Sequence, residues 1–242
     1  MNGRESFSKA DFDEFSAEYD AALAHGLSAS GENKYYFARG RIAWLANCLR
    51  QMQESPQSIM DFGCGTGSAV PFLHDFLVPK FIVGVDISLK SLEIAGRSCD
   101  SERTQFLLFS QYQPNGQIDL TFCNGVFHHI PLEQRATKIN YIYRSLRPGG
   151  LLAFWENNPW NPGTRYVMSR IPFDRDAVTL TPPEARRMLE AGGFKILRTD
   201  FLFIFPRMLS WFREIEPLLS RIPLGAQYQV LCQKPFSSAA GA

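Results

Sequence analysis

The chain has 242 residues, 45% of them hydrophobic and 20% charged, which suits one large α/β domain with additions and excludes both a disordered chain and a disulfide-stapled miniprotein. Lys and Arg total 25 against 24 Asp and Glu, a net charge of +1 that supplies no general attraction to nucleic acid or to an anionic membrane. The five cysteines, Cys48, Cys64, Cys99, Cys123 and Cys232, include no C-x-x-C pair, so neither a disulfide framework nor a zinc site is suggested.

The first twenty residues alternate acids with aromatics and lack the apolar core of a signal peptide. No stretch approaches the roughly 18 apolar residues of a membrane span. The expectation is a cytoplasmic protein with no stable membrane insertion.

Residues 8–24 and 33–51 predict two helices, since Phe12, Phe15, Tyr19, Leu23 and then Phe37, Ile42, Leu45, Leu49 recur near helical spacing, with a break from Ser28 to Gly31. From Ser58 short apolar runs alternate with helical stretches: SIMDF, a helix from Gly67, FIVGV, a helix opened by Ser88, FLLF and DLTFC. That alternation predicts a parallel sheet wrapped by helices. Residues 131–146 predict the clearest helix, with Leu132, Ala136, Ile139, Tyr143 and Leu146 on one stripe and Pro148-Gly149-Gly150 closing it. LLAFW follows as a fifth strand. Thr181 to Glu184 has capping-box spacing with proline at the first helical position, so a helix starts there and runs to Gly192-Gly193. FKILRTDFLFIF, a helical stretch from Met208 to Leu219, and AQYQVLCQ complete a sheet of about seven strands.

The expected organisation is one domain: an amino-terminal helical cap (1–55), a ligand-binding core (56–157), a segment at 158–181 and the carboxyl-terminal part of the sheet (182–242). The segment 158–181 exceeds the 12–15 residues or so that an idle loop reaches. Stiff with proline and rich in aromatics and amides, it is suited to cover a ligand.

The chemistry concentrates where the first strand hands over to its helix. Asp61-Phe62-Gly63-Cys64-Gly65-Thr66-Gly67 has three glycines in five residues, which lets the backbone turn sharply and approach a ligand. Asp86 ends the next apolar run, where a carboxylate can accept from both ribose hydroxyls of an adenosine. A dinucleotide fingerprint would read G-x-G-x-x-G; here Ser68 stands at the third glycine's place and Asp61 precedes the turn. Negative charge is unfavourable beside a pyrophosphate and favourable beside an amino group. The pattern therefore favours S-adenosylmethionine over NAD.

From about Ser58 to Gly150 the chain resembles the class I S-adenosylmethionine-dependent methyltransferases, and among them the small-molecule group that includes the ubiquinone and menaquinone methyltransferases. DFGCGTG, VGVDIS, IDLTFCNGVFHHIP and LRPGG are similar to four of their motifs, in order. The resemblance implies a Rossmann-like sheet of strand order 3-2-1-4-5-7-6 with its last strand antiparallel. It also implies that Asp61, Gly63, Cys64 and Gly65 line the methionine tail, that Asp86 holds the ribose with Ile87 against the adenine, and that Asn124 and Gly125 pass beneath the sulfonium. Where many relatives carry an acid for the adenine amino group, this chain has Ser110. Tyr19 is similar to a family tyrosine that reaches cofactor or acceptor.

Methyl transfer is an in-line displacement that needs a base only if the acceptor loses a proton. His128 and His129 follow the fourth strand, at the mouth where the methyl group emerges, and Glu156 ends the fifth; these three are the catalytic candidates. The expected activity is methyl transfer to an oxygen or nitrogen of a small molecule, with no metal and no nucleic acid. The rivals are a protein that binds S-adenosylmethionine without turnover and an NAD-dependent reductase.

Overall fold

The computed structural model describes residues 19–99, 101–171, 174 and 177–236. The expected helix at 8–24 lies outside these residues up to 18. Its described part is α1 (Tyr19–Leu27), which ends in a short 3-10 turn closed by Gly31. Helix α2 (Lys34–Gln51) starts where the Asn33 side chain accepts from the Tyr36 N–H, 3.0 Å away.

The strands are β1 (Ser58–Phe62), β2 (Phe81–Asp86), β3 (Thr104–Leu108), β4 (Ile118–Asn124), β5 (Leu146–Asn157), β6 (Lys195–Leu202) and β7 (Gln227–Gln233). They form one sheet in the order β3-β2-β1-β4-β5-β7-β6. Neighbours from β3 to β5 are parallel, and β7 runs antiparallel to both β5 and β6. This is the Rossmann-like order expected. In such a sheet the strand order reverses at β1 and β4, whose carboxyl ends open a crevice for a ligand.

Between the strands lie α3 (Val70–Leu77), α4 (Leu89–Ser98), α5 (Leu132–Ser145), α6 (Pro162–Arg170), α7 (Pro182–Ala191) and α8 (Glu216–Leu219). The Ser88 side chain caps α4 by accepting from the Ser91 N–H at 3.1 Å. At the head of α7 the Glu184 carboxylate accepts from the Thr181 N–H (2.8 Å) and hydroxyl (2.6 Å), as the spacing predicts.

Alternation along the strands sends side chains to two cores. Met60, Phe62, Cys123, Leu152 and Phe154 pack with Ile139 and Ile142 of α5 and Leu189 of α7, whereas Ile59, Leu120, Phe122, Ala153 and Trp155 pack with Ile42, Leu45 and Leu49 of α2 and Leu73 of α3. Trp155 is fully buried; truncating such a side chain to alanine costs about 3–5 kcal/mol. Helix α2 is also tied to the far edge of the sheet, where the Trp44 indole N–H donates to Asp200, itself gripped by Nε and Nη2 of Arg198.

Two regions differ from the sequence reading. The stretch from Met208 to Leu219 is not one helix: a 3-10 run (Arg207–Ile215) with non-helical backbone at Leu209 precedes the single turn of α8. It buries no residue, so no core face holds it in α-helical register. The segment at 158–181 contains α6, whose Asn161 side chain accepts from the Thr164 N–H at 2.9 Å. No helix among the described residues is long and apolar enough to cross a membrane.

Candidate active site

The glycine turn follows β1 directly. Gly63 and Gly65 have φ of +72° and +51°, the left-handed region where side chains are strained. At Gly63 an added Cβ would also lie 2.4 Å from Val126, whereas at Gly65 it would meet nothing within 4 Å. The first glycine lets the loop after β4 pack close; the second leaves open space for a ligand.

Asp86 is fastened to this turn. One carboxylate oxygen accepts from the Gly65 N–H (2.8 Å) and the other from the Ser88 N–H (2.9 Å). Both oxygens are thus held at the mouth of the turn. Ile87 follows, exposed, and Ser110 is exposed two residues past the end of β3, whose neighbour Phe109 donates its N–H to the Asp86 carbonyl. Cys64 contributes backbone only, because its buried thiol packs toward Gly84.

Asp61 is 3% exposed, and its Oδ2 has no hydrogen-bond partner among the described residues. Burial, reinforced by the charge of Asp86 and opposed by Arg41, pushes its carboxyl up to about 7. A buried oxygen of this kind is completed by a cationic donor such as an amino-acid ammonium. The lone oxygen of Asp61, the open space at Gly65 and the anchored Asp86 fit the methionine and ribose ends of S-adenosylmethionine.

Beyond the turn lies a cavity of about 490 Å³. Thr66, Ser68, Asn124 and Gly125 line it from the strand ends, Leu23, Leu27, Tyr36, Phe37 and Arg41 from α1 and α2, and Thr164, Val167 and Met168 from α6. Phe203 to Pro206, after β6, form another wall. Helices α1 and α6 meet at Gly26, where an added Cβ would sit 2.3 Å from Ile171. The excursion is pinned at both ends: Asn158 donates to the carbonyls of Pro223 and Gly225, Thr164 to that of Ala226, and the Val178 N–H to that of His128.

His128 and His129 form a 3-10 turn after β4 and both reach the cavity. His128 Nδ1 stands 2.5 Å from Glu156 Oε2, and the other Glu156 oxygen accepts from the Phe127 N–H at 2.8 Å. Glu156, 1% exposed, thus braces His128 from behind. Asp174 closes the cluster, its Oδ1 lying 3.4 Å from His128 Nε2 and 3.3 Å from His129 Nε2. Burial works to lower the His128 value, but Glu156 and Asp174 prevail and raise it to about 10. His129 moves the other way, lowered by burial and by the charge of His128. For Asp174, burial acts to raise the value, yet the two imidazoles hold it well below the usual carboxylate range.

Of the expected site residues, Asp61, Gly65 and Asp86 are brought together at the turn, and Asn124, Gly125, His128 and His129 at the cavity. Tyr19 heads α1, and its side chain lies outside what is described. Arg41 and Asp174 carry no motif in the sequence; the buried charge that each answers is visible only in the fold.

A family model described as a methyltransferase domain matches residues 60–154. Over 115 residues the chain is 28% identical to a trans-aconitate 2-methyltransferase of Azoarcus sp. strain BH72, covering 48% of this chain and 45% of that protein. Over 111 residues it is 30% identical to the tRNA N(3)-methylcytidine methyltransferase Mettl2 of Drosophila melanogaster, covering 41% and 34%. The chain thus spans less than half the length of either relative. Among solved structures, an S-adenosylmethionine-dependent methyltransferase of Thermotoga maritima, described as a possible histamine N-methyltransferase, superposes with a TM-score of 0.65 at 21% identity, over 92% of this chain and 97% of that one. The stretch similar to a methyltransferase domain, residues 60–154, runs from β1 to β5 of a Rossmann-like sheet, and the fold is shared with S-adenosylmethionine-dependent methyltransferases of known structure.

Proposed function

We propose that the protein transfers the methyl group of S-adenosylmethionine to an oxygen or nitrogen of a small molecule held in the cavity, leaving S-adenosylhomocysteine. The observation that carries this reading is the cavity itself. At about 490 Å³ it is of the size that encloses a small ligand, and it meets the cofactor turn at Thr66, Ser68 and Asn124. The helices over it exclude water and hold the acceptor in line with the sulfonium, which is most of what a methyl displacement requires.

In the step, a lone pair on the acceptor oxygen or nitrogen forms the new bond to carbon while the carbon–sulfur bond breaks and its electrons return to sulfur. The acceptor's proton leaves to the histidine cluster. His129 serves here, because burial and the charged His128 keep its imidazole neutral and so able to accept a proton; Glu156 and His128 position it. Asp61 takes the cofactor ammonium and Asp86 its ribose, with Gly63, Cys64 and Gly65 lending backbone, Ile87 and Ser110 flanking the adenine, and Gly125 beneath the sulfur. Against a bulky RNA acceptor stand the covering helices and the net charge of +1.

The test is to incubate the protein with methyl-labelled S-adenosylmethionine and pools of small carboxylates, phenols and amines, and to follow label by mass spectrometry. Label on an O or N atom of a small acceptor is expected. Label on RNA only, or binding without turnover on every pool, overturns the assignment.

A further inference from the structure

At the floor of the cavity two imidazole nitrogens and one carboxylate oxygen converge on a single point. His128 Nε2 and His129 Nε2 approach the same Asp174 Oδ1, at 3.4 and 3.3 Å, and the two rings lie 4.1 Å apart between centroids. One ligating atom from each of the three residues lies within 4.8 Å of the other two. A tetrahedral ion with bonds of about 2.1 Å sets its donors about 3.4 Å apart, so two edges of the triangle already have the required length.

Hydrogen-bonding logic leads to the same place. Glu156 Oε2 faces His128 Nδ1 and fixes the ring's N–H on that nitrogen, because a carboxylate can only accept. Its other nitrogen, Nε2, faces the carboxylate of Asp174. A proton can serve one imidazole–carboxylate pair, but a second imidazole arrives at the same oxygen from another side. Glu156 behind His128 is moreover the outer carboxylate that metal-bound histidines ordinarily carry, orienting the ring and raising its basicity.

We propose that His128, His129 and Asp174 form a binding site for a divalent first-row transition metal ion, with Glu156 as its outer support and the remaining coordination positions open to the cavity. Two imidazoles and one carboxylate suit zinc, cobalt or iron(II) better than magnesium or calcium, which prefer oxygen donors. With an ion bound, His129 is a ligand and no longer the base of the metal-free step; the open positions would hold an acceptor through an oxygen, ideally a chelating one such as a hydroxyl beside a carboxylate, and lower its pKa so that its proton leaves to solvent and it reaches the sulfonium as an alkoxide. The metal site stands on geometry; its use in methyl transfer rests on the function proposed above. The cysteines, which carried the expectation of no metal, take no part.

The experiment uses tag-free full-length protein stripped with a chelator and titrated with Co²⁺. Visible ligand-field bands that saturate at one equivalent and vanish on addition of Zn²⁺ are expected. Asp174→Asn and His129→Gln should abolish the bands, and Glu156→Gln should weaken Co²⁺ binding by about 10–100-fold. Absence of bands in the wild type, or bands that persist in Asp174→Asn, overturns the site. Calorimetry with S-adenosylhomocysteine on the same samples separates the two proposals: failure of the wild type to bind it refutes the methyltransferase reading, while the Co²⁺ result stands or falls by itself.

Discussion

Asp86 accepts a hydrogen bond from the backbone N–H of Gly65, 2.8 Å away, so the acid that ends β2 holds in place the turn that follows β1. The two halves of the cofactor site are therefore mechanically one. A substitution at Asp86 loosens the glycine turn and, on the function proposed above, removes a ligand to the ribose at the same time.

Asp86→Ala is accordingly expected to weaken S-adenosylhomocysteine binding by about ten- to hundredfold, since a hydrogen bond to a charged group is worth roughly 1.5–3 kcal/mol. Isothermal calorimetry measures it. An unchanged affinity, or tight binding of NADH by the wild type, would remove the cofactor assignment of this residue.

Asp61 gives a prediction about protons. Its carboxyl titrates near 7 in the folded chain, above the ordinary carboxylate value of about 3.9. The neutral form is the one the fold prefers, so this residue's contribution to stability is full below pH 4 or so and is lost as the pH rises through about 7. A cofactor ammonium reverses the preference. At pH 6, S-adenosylhomocysteine should bind with release of a proton, seen as a dependence of binding heat on the ionisation enthalpy of the buffer; at pH 9 the release should disappear. Asp61→Asn should show neither behaviour, and a wild type without buffer dependence at pH 6 would contradict the assignment.

His129→Ala is expected to reduce turnover by roughly a hundredfold or more while leaving S-adenosylhomocysteine affinity within a few fold. Survival of most of the turnover would mean that alignment alone drives the transfer.

Gly26→Val addresses the cover. Its Cβ would fall 2.3 Å from Ile171, prising α1 from the end of α6 without touching the glycine turn. The expected outcome is a raised KM for the acceptor with an unchanged Kd for S-adenosylhomocysteine. Equal losses in both would show that cover and cofactor site are not separate.

The sheet was legible because a buried parallel sheet writes itself as short apolar runs between helical stretches. The glycine turn was legible because three glycines in five residues mark a backbone that adopts left-handed angles without strain, here φ of +72° and +51° at Gly63 and Gly65. Strand order was not: it entered through the resemblance, since pairing between β1 and β4 spans some sixty residues and leaves no local mark. The helix inside 158–181 was missed for lack of an apolar stripe, its only local signal being Asn161 ahead of Pro162. Asp174 was missed for a different reason. One acid in a loop resembles any other until folding sets it against two imidazoles.

The histidines of that cluster hang from β4 and Glu156 ends β5, whereas Asp174 arrives on the excursion, 45 positions after His129. The sheet thus holds two of the three converging side chains whatever stands at position 174. A lineage that exchanged Asp174 for a neutral residue would keep its cofactor half and its folded core, yet would inherit a different chemistry at the mouth.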